Sequence, residues 1–436
     1  MTENEKAPKK KRVKKVLTPE QRRKRYVRAG IIGTCIVAVL GIFTATVFGV
    51  GEVGRKANLE MIGTLEYVGS ELTPTFDEAS GRWTFVTDEE FVVLQLTDIH
   101  IGAGGFCVQK DNWALNAVAK LIQTVKPDLV VVTGDIAYPV PFQAGTLNNK
   151  KEAELFATLM EQLGVYWAPC FGNHDTEVYS LYDREDIYKF YTEDERWEHC
   201  LLYTAEDVDG YSNNIINVKN SMGMITQTII TIDSHSYPDD GTIVSGLSGY
   251  YDNIHDNQIE WYEEEITELN NANKALFATL DDASKAQYLS TLGVDEATFM
   301  NNSMIKSSMF FHIPLREYKD AWVEYLDNGK KNTDKVEYVM GVENEGGDLV
   351  YCGHGEDDMF ETICELGSTQ GVFCGHDHFN NFSIKYDGVT LTYGMSIDYL
   401  AYIGIAKKTE QRGGTVITYA QDGSMKIAQV RLSDIE

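Results

Sequence analysis

Three apolar runs, FVVLQLTDIH (91–100), DLVVVTGDI (128–136) and VYWAPCFGNHD (165–175), each end in Asp, His or Asn, and helix-like stretches at 111–125 and 150–163 separate them. Strand, helix, strand, helix, strand in this cadence predicts βαβ units and a largely parallel sheet. In an open α/β sheet the ligand-binding edge lies at the carboxyl ends of the strands, so these runs deliver their polar residues to one rim. Further along, 211–233 reads as an antiparallel strand pair, 256–273 as an amphipathic helix and 275–305 as a helical insertion. The segments 307–315, 368–382 and the strand-like tail through 432 are expected to complete a second sheet. No fixed-period repeat is present. At 436 residues, 43% of them hydrophobic, the chain holds enough apolar material for one large domain.

Five of the nine histidines, His100, His174, His312, His376 and His378, lie at the ends of apolar runs together with Asp98, Asp135 and Asn173. Any one of them alone reads as a hydrogen-bonded structural residue, but a structural role has to explain all eight at strand ends. Asp98 and His100 are two apart in an extended or turning segment and point to the same side, as do His376 and His378. Each pair brings two donors to one small region, as a metal site requires. Imidazole and carboxylate donors without thiolates suit zinc, manganese or iron, whereas calcium takes more oxygen. A carboxylate shared between two such ions holds them ~3.5–4 Å apart, so that a bridging hydroxide forms near neutral pH and attacks phosphorus in line.

Asp98-Ile99-His100, Gly134-Asp135, Gly172-Asn173-His174-Asp175, His312 in FFHIPL and Gly375-His376-Asp377-His378 resemble, in order, the five blocks of the calcineurin-like metallophosphoesterase superfamily. FFHIPL, GHDHFNNF and the late RGGTVI (412–417) are most similar to the purple-acid-phosphatase-like branch known from plants and fungi. The resemblance spans roughly residues 90 to 420 and implies a four-layer αββα sandwich of two mixed sheets. It implies two divalent or mixed-valence ions, Mn, Zn or Fe. One ion takes Asp98, His100, Asp135 and His378; the second takes Asp135, Asn173, His312 and His376. His174, with Asp175 beside it, is implied as the catalytic group, His174 protonating the leaving oxygen. Tyr138 stands where purple acid phosphatases place an iron-binding tyrosinate, yet those enzymes lack a histidine at the position of His100. We therefore assign His100 as the ligand and Tyr138 as a packing neighbour, and expect no purple colour; a Tyr138 ligand would favour iron. Asn380 and Asn381, close after the last metal pair, and His235, after a strand that ends near the rim, are candidates for touching substrate.

Between Arg28 and Glu52 runs an uncharged apolar stretch, residues 29–51, which as a helix spans roughly 34 Å and crosses a bilayer core of ~30 Å. It is longer than the apolar part of a signal peptide, which reads as an uncleaved single-pass anchor at the cell membrane. The basic tail 1–28 stays cytoplasmic, and the catalytic domain 91–436 lies outside the cytoplasm behind a polar linker and edge segment at 52–90. The run PKKKRVKK (8–15) fits the positive-inside pattern better than a nuclear signal. With a net charge of −28 in spite of that tail, the body is strongly acidic, and no nucleic-acid partner is expected. None of the seven cysteines shows a CxxC spacing, which excludes zinc ribbons and thioredoxin-like redox sites; disulfides among those outside the anchor stay open.

The expected function is hydrolysis of phosphate monoesters by this membrane-anchored centre, the substrate being a phosphorylated small molecule or other phosphoester. A phosphodiesterase of the same fold and a catalytically silent metal-binding surface module are the alternatives.

Overall fold

The structure is a computed structural model describing residues 17–238, 250–347 and 349–435, so the basic run at 8–15 lies outside the described residues. In chain order the elements are α1 (Pro19–Ile62), β1 (Thr75–Asp77), β2 (Arg82–Val86), β3 (Phe91–Leu96), α2 (Val108–Val125), β4 (Leu129–Thr133), α3 (Asn149–Leu163), β5 (Trp167–Cys170) and α4 (Arg184–Thr192). They continue with β6 (Asn214–Lys219), β7 (Ile225–Thr231), α5 (Asp256–Thr279), α6 (Asp282–Leu292), α7 (Glu296–Asn302), β8 (Ser307–Phe310), α8 (Arg316–Asp327) and β9 (Val336–Met340). The last are α9 (Met359–Leu366), β10 (Thr369–Cys374), β11 (Ser383–Tyr386), β12 (Val389–Tyr393), β13 (Gly413–Tyr419) and β14 (Met425–Arg431).

Strands β3, β4 and β5 lie parallel and are joined through α2 and α3, as the strand-helix cadence predicts. Pro169, which has no N–H to give, sits in β5 at the edge of this sheet. The other edge is where the tail departs from expectation. Only β11 and β12 join the second sheet, whereas β13 crosses back to pair antiparallel with β3, Tyr419 opposite Phe91, and β14 folds onto β13. The reason is that a parallel three-stranded sheet leaves the β3 backbone open, and β13 satisfies it. The first sheet thus runs β14-β13-β3-β4-β5 and the second β1-β2-β6-β7-β8-β10-β12-β11-β9.

Alternation along the strands sorts the apolar side chains into separate cores. Phe91, Val93, Leu129 and Val131 face the second sheet and pack with Phe85, Ile229, Phe310 and Phe373. Leu94, Leu96, Val130 and Val132 face the other way, onto Leu115, Val118 and Ile122 of α2 and Phe156 and Met160 of α3. On the far side of the second sheet, Ile230, Met309, Val372 and Leu391 meet Tyr262 of α5, Tyr318 and Trp322 of α8 and Ile363 of α9. Helix, sheet, sheet, helix is the αββα order expected, with both sheets mixed. The helical insertion is α6 and α7 with the end of α5, held by a small core of Phe277, Tyr288 and Phe299.

Helix α1 does not stop with the apolar run. It continues to Ile62, and its buried residues, Gly51, Gly54, Asn58 and Ile62, form one stripe at helical spacing. The stripe packs on α2 and α3. A Cβ on Gly54 would run into the branched Val108 side chain, so only glycine lets the two helices come this close. Asn58 Oδ1 accepts from Asn112 Nδ2 at 3.2 Å, Arg55 pairs with Glu154 at 2.8 Å, and Lys151 pairs with Glu52. The first residues of the segment expected to be a polar link are therefore docked helix. By length and composition α1 is apolar enough to cross a membrane. Gly54→Leu should force α1 off α2 at a cost of about 1–3 kcal/mol, seen as a lower unfolding midpoint in detergent and new trypsin cleavage after Lys56.

Candidate metal centre

The polar residues at the strand ends sit in an unusual backbone. Asp98, His100, Asp135 and His376 adopt φ values of 51°, 53°, 55° and 77°, a left-handed conformation that costs non-glycine residues of order 1–3 kcal/mol each. Such strain persists only where the surroundings over-determine it. Here the turns lock each other: Ile99 N and His100 N donate to Asp135 O at 2.9 and 3.0 Å, and Asp98 N donates to Gly134 O at 3.1 Å. Two motif glycines serve close approach. A Cβ on Gly134 would strike the His312 ring, and one on Gly172 would strike the Asp135 carboxylate.

Asp135 lies at the centre. Its Oδ2 is 3.1 Å from His100 Nε2 and 3.3 Å from His312 Nε2, while Oδ1 accepts the His174 backbone N–H at 2.8 Å. On one side, Asp98, His100, Asp135 and His378 bring one donor atom each within 4.8 Å of one another. On the other, Asp135, His312 and His376 do the same, and Asn173 Oδ1 stands 3.1 Å from His312 Nε2. The seven residues predicted as ligands are therefore in one place, all buried. His312 Nδ1 donates to Thr133 O at 2.8 Å, which turns Nε2 inward. His376 Nδ1 faces that same Nε2 at 3.2 Å.

Nitrogen and oxygen lone pairs converging without a positive charge between them are mutually repulsive, so this donor set fits cations. The protonation equilibria express the same demand. Burial works against charging His100, but the Asp398 and Asp135 carboxylates outweigh it and push its pKa up to about 10. Burial likewise opposes His312, and Asp135 pushes it up to about 9. His376, buried beside His312, is held well below the usual imidazole range. With imidazole, carboxylate and amide donors and no sulfur, the residues fit two borderline first-row ions sharing Asp135.

The model of the family described as calcineurin-like phosphoesterase matches residues 91–276, which carry the Asp98, Asp135 and Asn173 blocks. Over those residues the chain is similar to calcineurin-like phosphoesterases. Among curated proteins it is similar to probable inactive purple acid phosphatase 14 of Arabidopsis thaliana, 26% identical over 76% of this chain and 77% of that one. Probable inactive purple acid phosphatase 28 of the same plant is 23% identical over 73% of each chain. Phosphatase DCR2 of Saccharomyces cerevisiae is 24% identical over 76% of this chain and 51% of its own length. Among solved structures, a dimetal phosphatase from Danio rerio covers 78% of this chain and 96% of its own at 10% identity and a TM-score of 0.44.

Several expected site residues have other hydrogen-bond partners. Asp175 is buried and accepts from the backbone N–H groups of Gly172, Asp135 and Ala137 at 2.8, 3.0 and 2.8 Å. Burial and the Asp135 charge push its pKa up to about 6. It buckles the Asp135 and Asn173 turns together and is a positioning residue, not a catalytic one. Asn380 Oδ1 accepts from Asn344 N and Glu345 N, its Nδ2 donates to Leu349 O, and Asn381 Oδ1 accepts from Val342 N. Both side chains thus bind the backbone at Val342, Asn344, Glu345 and Leu349 and are not free for phosphate. His235 turns to Gln258 at 3.0 Å and stacks on His255 at 3.9 Å, away from the ligand cluster. Tyr138 packs 4.8 Å from the His100 ring and donates its hydroxyl to Gln143 Oε1 at 2.7 Å. All seven cysteines are free thiols.

Other functional residues were missed. Asp398, buried, takes His378 Nδ1 at 2.9 Å on Oδ2 and faces His100 Nδ1 at 3.3 Å with Oδ1. One carboxylate thereby orients a ligand pair from two different strand ends. A signal was present: Asp398 closes the apolar stretch VTLTYGMSID as Asp98 closes FVVLQLTD. Glu177 holds His174 Nδ1 at 2.8 Å, Tyr237 bridges Glu177 and Asn173 at 3.2 Å each, and Tyr251 sets its ring against His376 at 4.3 Å. Asp398→Ala should lower metal affinity about 10–100-fold, read as the metal retained per chain after dialysis against a graded chelator.

Proposed function

We propose that this protein is a membrane-anchored, two-metal hydrolase of phosphate monoesters. The observation that carries the reading is the single Asp135 oxygen placed between His100 and His312, each of which belongs to a separate donor cluster. Asp98, His100, Asp135 and His378 would hold one ion, and Asp135, Asn173, His312 and His376 the other. A bound pair of first-row ions supplies Lewis acidity toward the phosphoryl oxygens and a nucleophile at neutral pH.

The chain's own residues do the rest. Glu177 accepts from His174 Nδ1, so Nε2 is the ring nitrogen that delivers a proton to the leaving oxygen. That ring keeps 26% of its side chain exposed, whereas the ligand imidazoles are buried; it stands at the mouth where a leaving group exits. Tyr237 and Glu177 hold Asn173 and His174 in one hydrogen-bonded line. The acidic body disfavours anionic polymers and leaves phosphate attraction to the metal centre.

Monoesters are favoured over diesters by the likeness to proteins named as purple acid phosphatases and a phosphatase. Two of those names carry the word inactive. Here every ligand position is filled and the ligands converge, which supports a working centre over a silent module. For the anchor, the support is the apolar length of α1 and the basic cluster on its N-terminal side, which favour a catalytic domain outside the cytoplasm.

The test is an assay of the full chain in detergent on p-nitrophenyl phosphate and on its bis-ester, with manganese, zinc and iron added separately. Faster hydrolysis of the bis-ester would replace the monoesterase reading, and inertness toward both would favour the silent module. In the active metal form, His174→Ala should reduce kcat by about 10²–10⁴ while metal content stays at the wild-type level.

A further inference from the structure

The loops that leave the metal centre are the same loops that touch the apolar helix. After His100 the chain runs through Gly104 and Gly105 to Phe106, whose ring lies 6.2 Å from that of Phe43 in α1. Gly105 and Gly145 both lie directly against Val47. Gly145 closes a tight turn that starts just after Tyr138: Ala144 N donates to Val140 O at 2.7 Å and Gly145 N to Pro141 O at 3.1 Å, and Phe142 at the tip is 92% exposed. A third loop follows Asp398. Its Tyr402 stacks on His378 at 4.5 Å, and its neighbour Ile403 is fully exposed. Gln143 joins the second loop to the third, donating to Ala401 O at 2.6 Å.

The level of these contacts along α1 decides what they mean. Phe43 lies eight residues inside the end of the apolar run at Gly51, about 12 Å along the helix. If the run spans a bilayer, Phe106 beside Phe43 reaches about 10 Å into the acyl chains of the outer leaflet, and Gly145, at the foot of the Phe142 turn against Val47, lies about 6 Å inside the end of the run. Exposed Phe and Ile side chains at loop tips are what that layer accepts and what water rejects. Lys407 and Lys408, exposed four and five residues after Ile403, offer positive charge to anionic headgroups. The docked stripe Gly51, Gly54, Asn58 and Ile62 keeps the domain from swinging away.

We propose that the metal-centre rim, residues 101–106, 139–145 and 399–404, is seated in the outer leaflet, and that the substrate is a lipid phosphomonoester presented from that leaflet. This rests on the anchor and on the hydrolase reading. Phosphate is cleaved from the lipid headgroup oxygen by water, the lipid keeping its hydroxyl and inorganic phosphate leaving to the aqueous side. Phe106, Phe142 and Ile403 set the depth and touch none of the ligands.

The test uses the full chain reconstituted in phosphatidylcholine vesicles with manganese, zinc or iron added separately. Wild type should release phosphate from dioleoyl phosphatidic acid in the bilayer. The triple variant Phe106→Ser, Phe142→Ser, Ile403→Ser should lose at least about tenfold of that rate and keep its rate on p-nitrophenyl phosphate. In parallel, Phe142→Trp should add tryptophan emission that brominated lipid quenches beyond the wild-type loss. Absence of that extra quenching, or equal rates of the triple variant and wild type on the bilayer substrate, overturns the seating. A wild type that cleaves p-nitrophenyl phosphate but not phosphatidic acid overturns the lipid substrate. Inertness toward both removes the hydrolase reading and the lipid substrate with it, while quenching still decides the seating; release of the chain from vesicles by alkaline carbonate counts against the anchor.

Discussion

One carboxylate oxygen has to face two imidazole nitrogens from opposite sides, and the architecture around the site serves that demand. Asp135 Oδ2 meets His100 from the first sheet and His312 from the second. They are distant in the chain and are brought together by two sheets packed face to face through Phe91, Val93, Phe310 and Phe373. Because the cluster is buried, neither its carboxylates nor its imidazoles can be relaxed by water. The left-handed backbone at Asp98, His100, Asp135 and His376 is stable only because each turn is bonded to the next.

Most of the centre was legible in the sequence because it follows a positional rule. Asp98, His100, Asp135, Asn173, His312, His376 and His378 each end an apolar strand, and strands of a layered sheet deliver their C-terminal residues to a common rim. Adjacency in the chain misled where it did not follow that rule. Asn380 and Asn381 stand two and three residues after His378, but the strand has already turned away, and their amides stitch a loop. Asp398 obeys the rule and was overlooked because it lacks a histidine beside it. Glu177 and Tyr237 carry no pattern; only the fold brings them to His174 and Asn173.

The layers were readable from alternation, but sheet membership was not. A strand's period shows which residues share a face and says nothing about which open edge it will join, so β13 and β14 were placed in the wrong sheet. The end of α1 posed a similar problem. Charge marks where an apolar run ceases, whereas the helix continues because Gly51, Gly54 and Asn58 give α2 and α3 a surface to dock on. That docking turns a tether into a rigid strut, and it places the catalytic rim at a set height along α1.

The shared carboxylate is tested most directly by anomalous X-ray diffraction from crystals of the metal-loaded chain. The account predicts two peaks about 3.5–4 Å apart, one on each side of Asp135, with His100 and His378 beside the first and Asn173, His312 and His376 beside the second. A single peak, or two ions that do not have Asp135 in common, would contradict it.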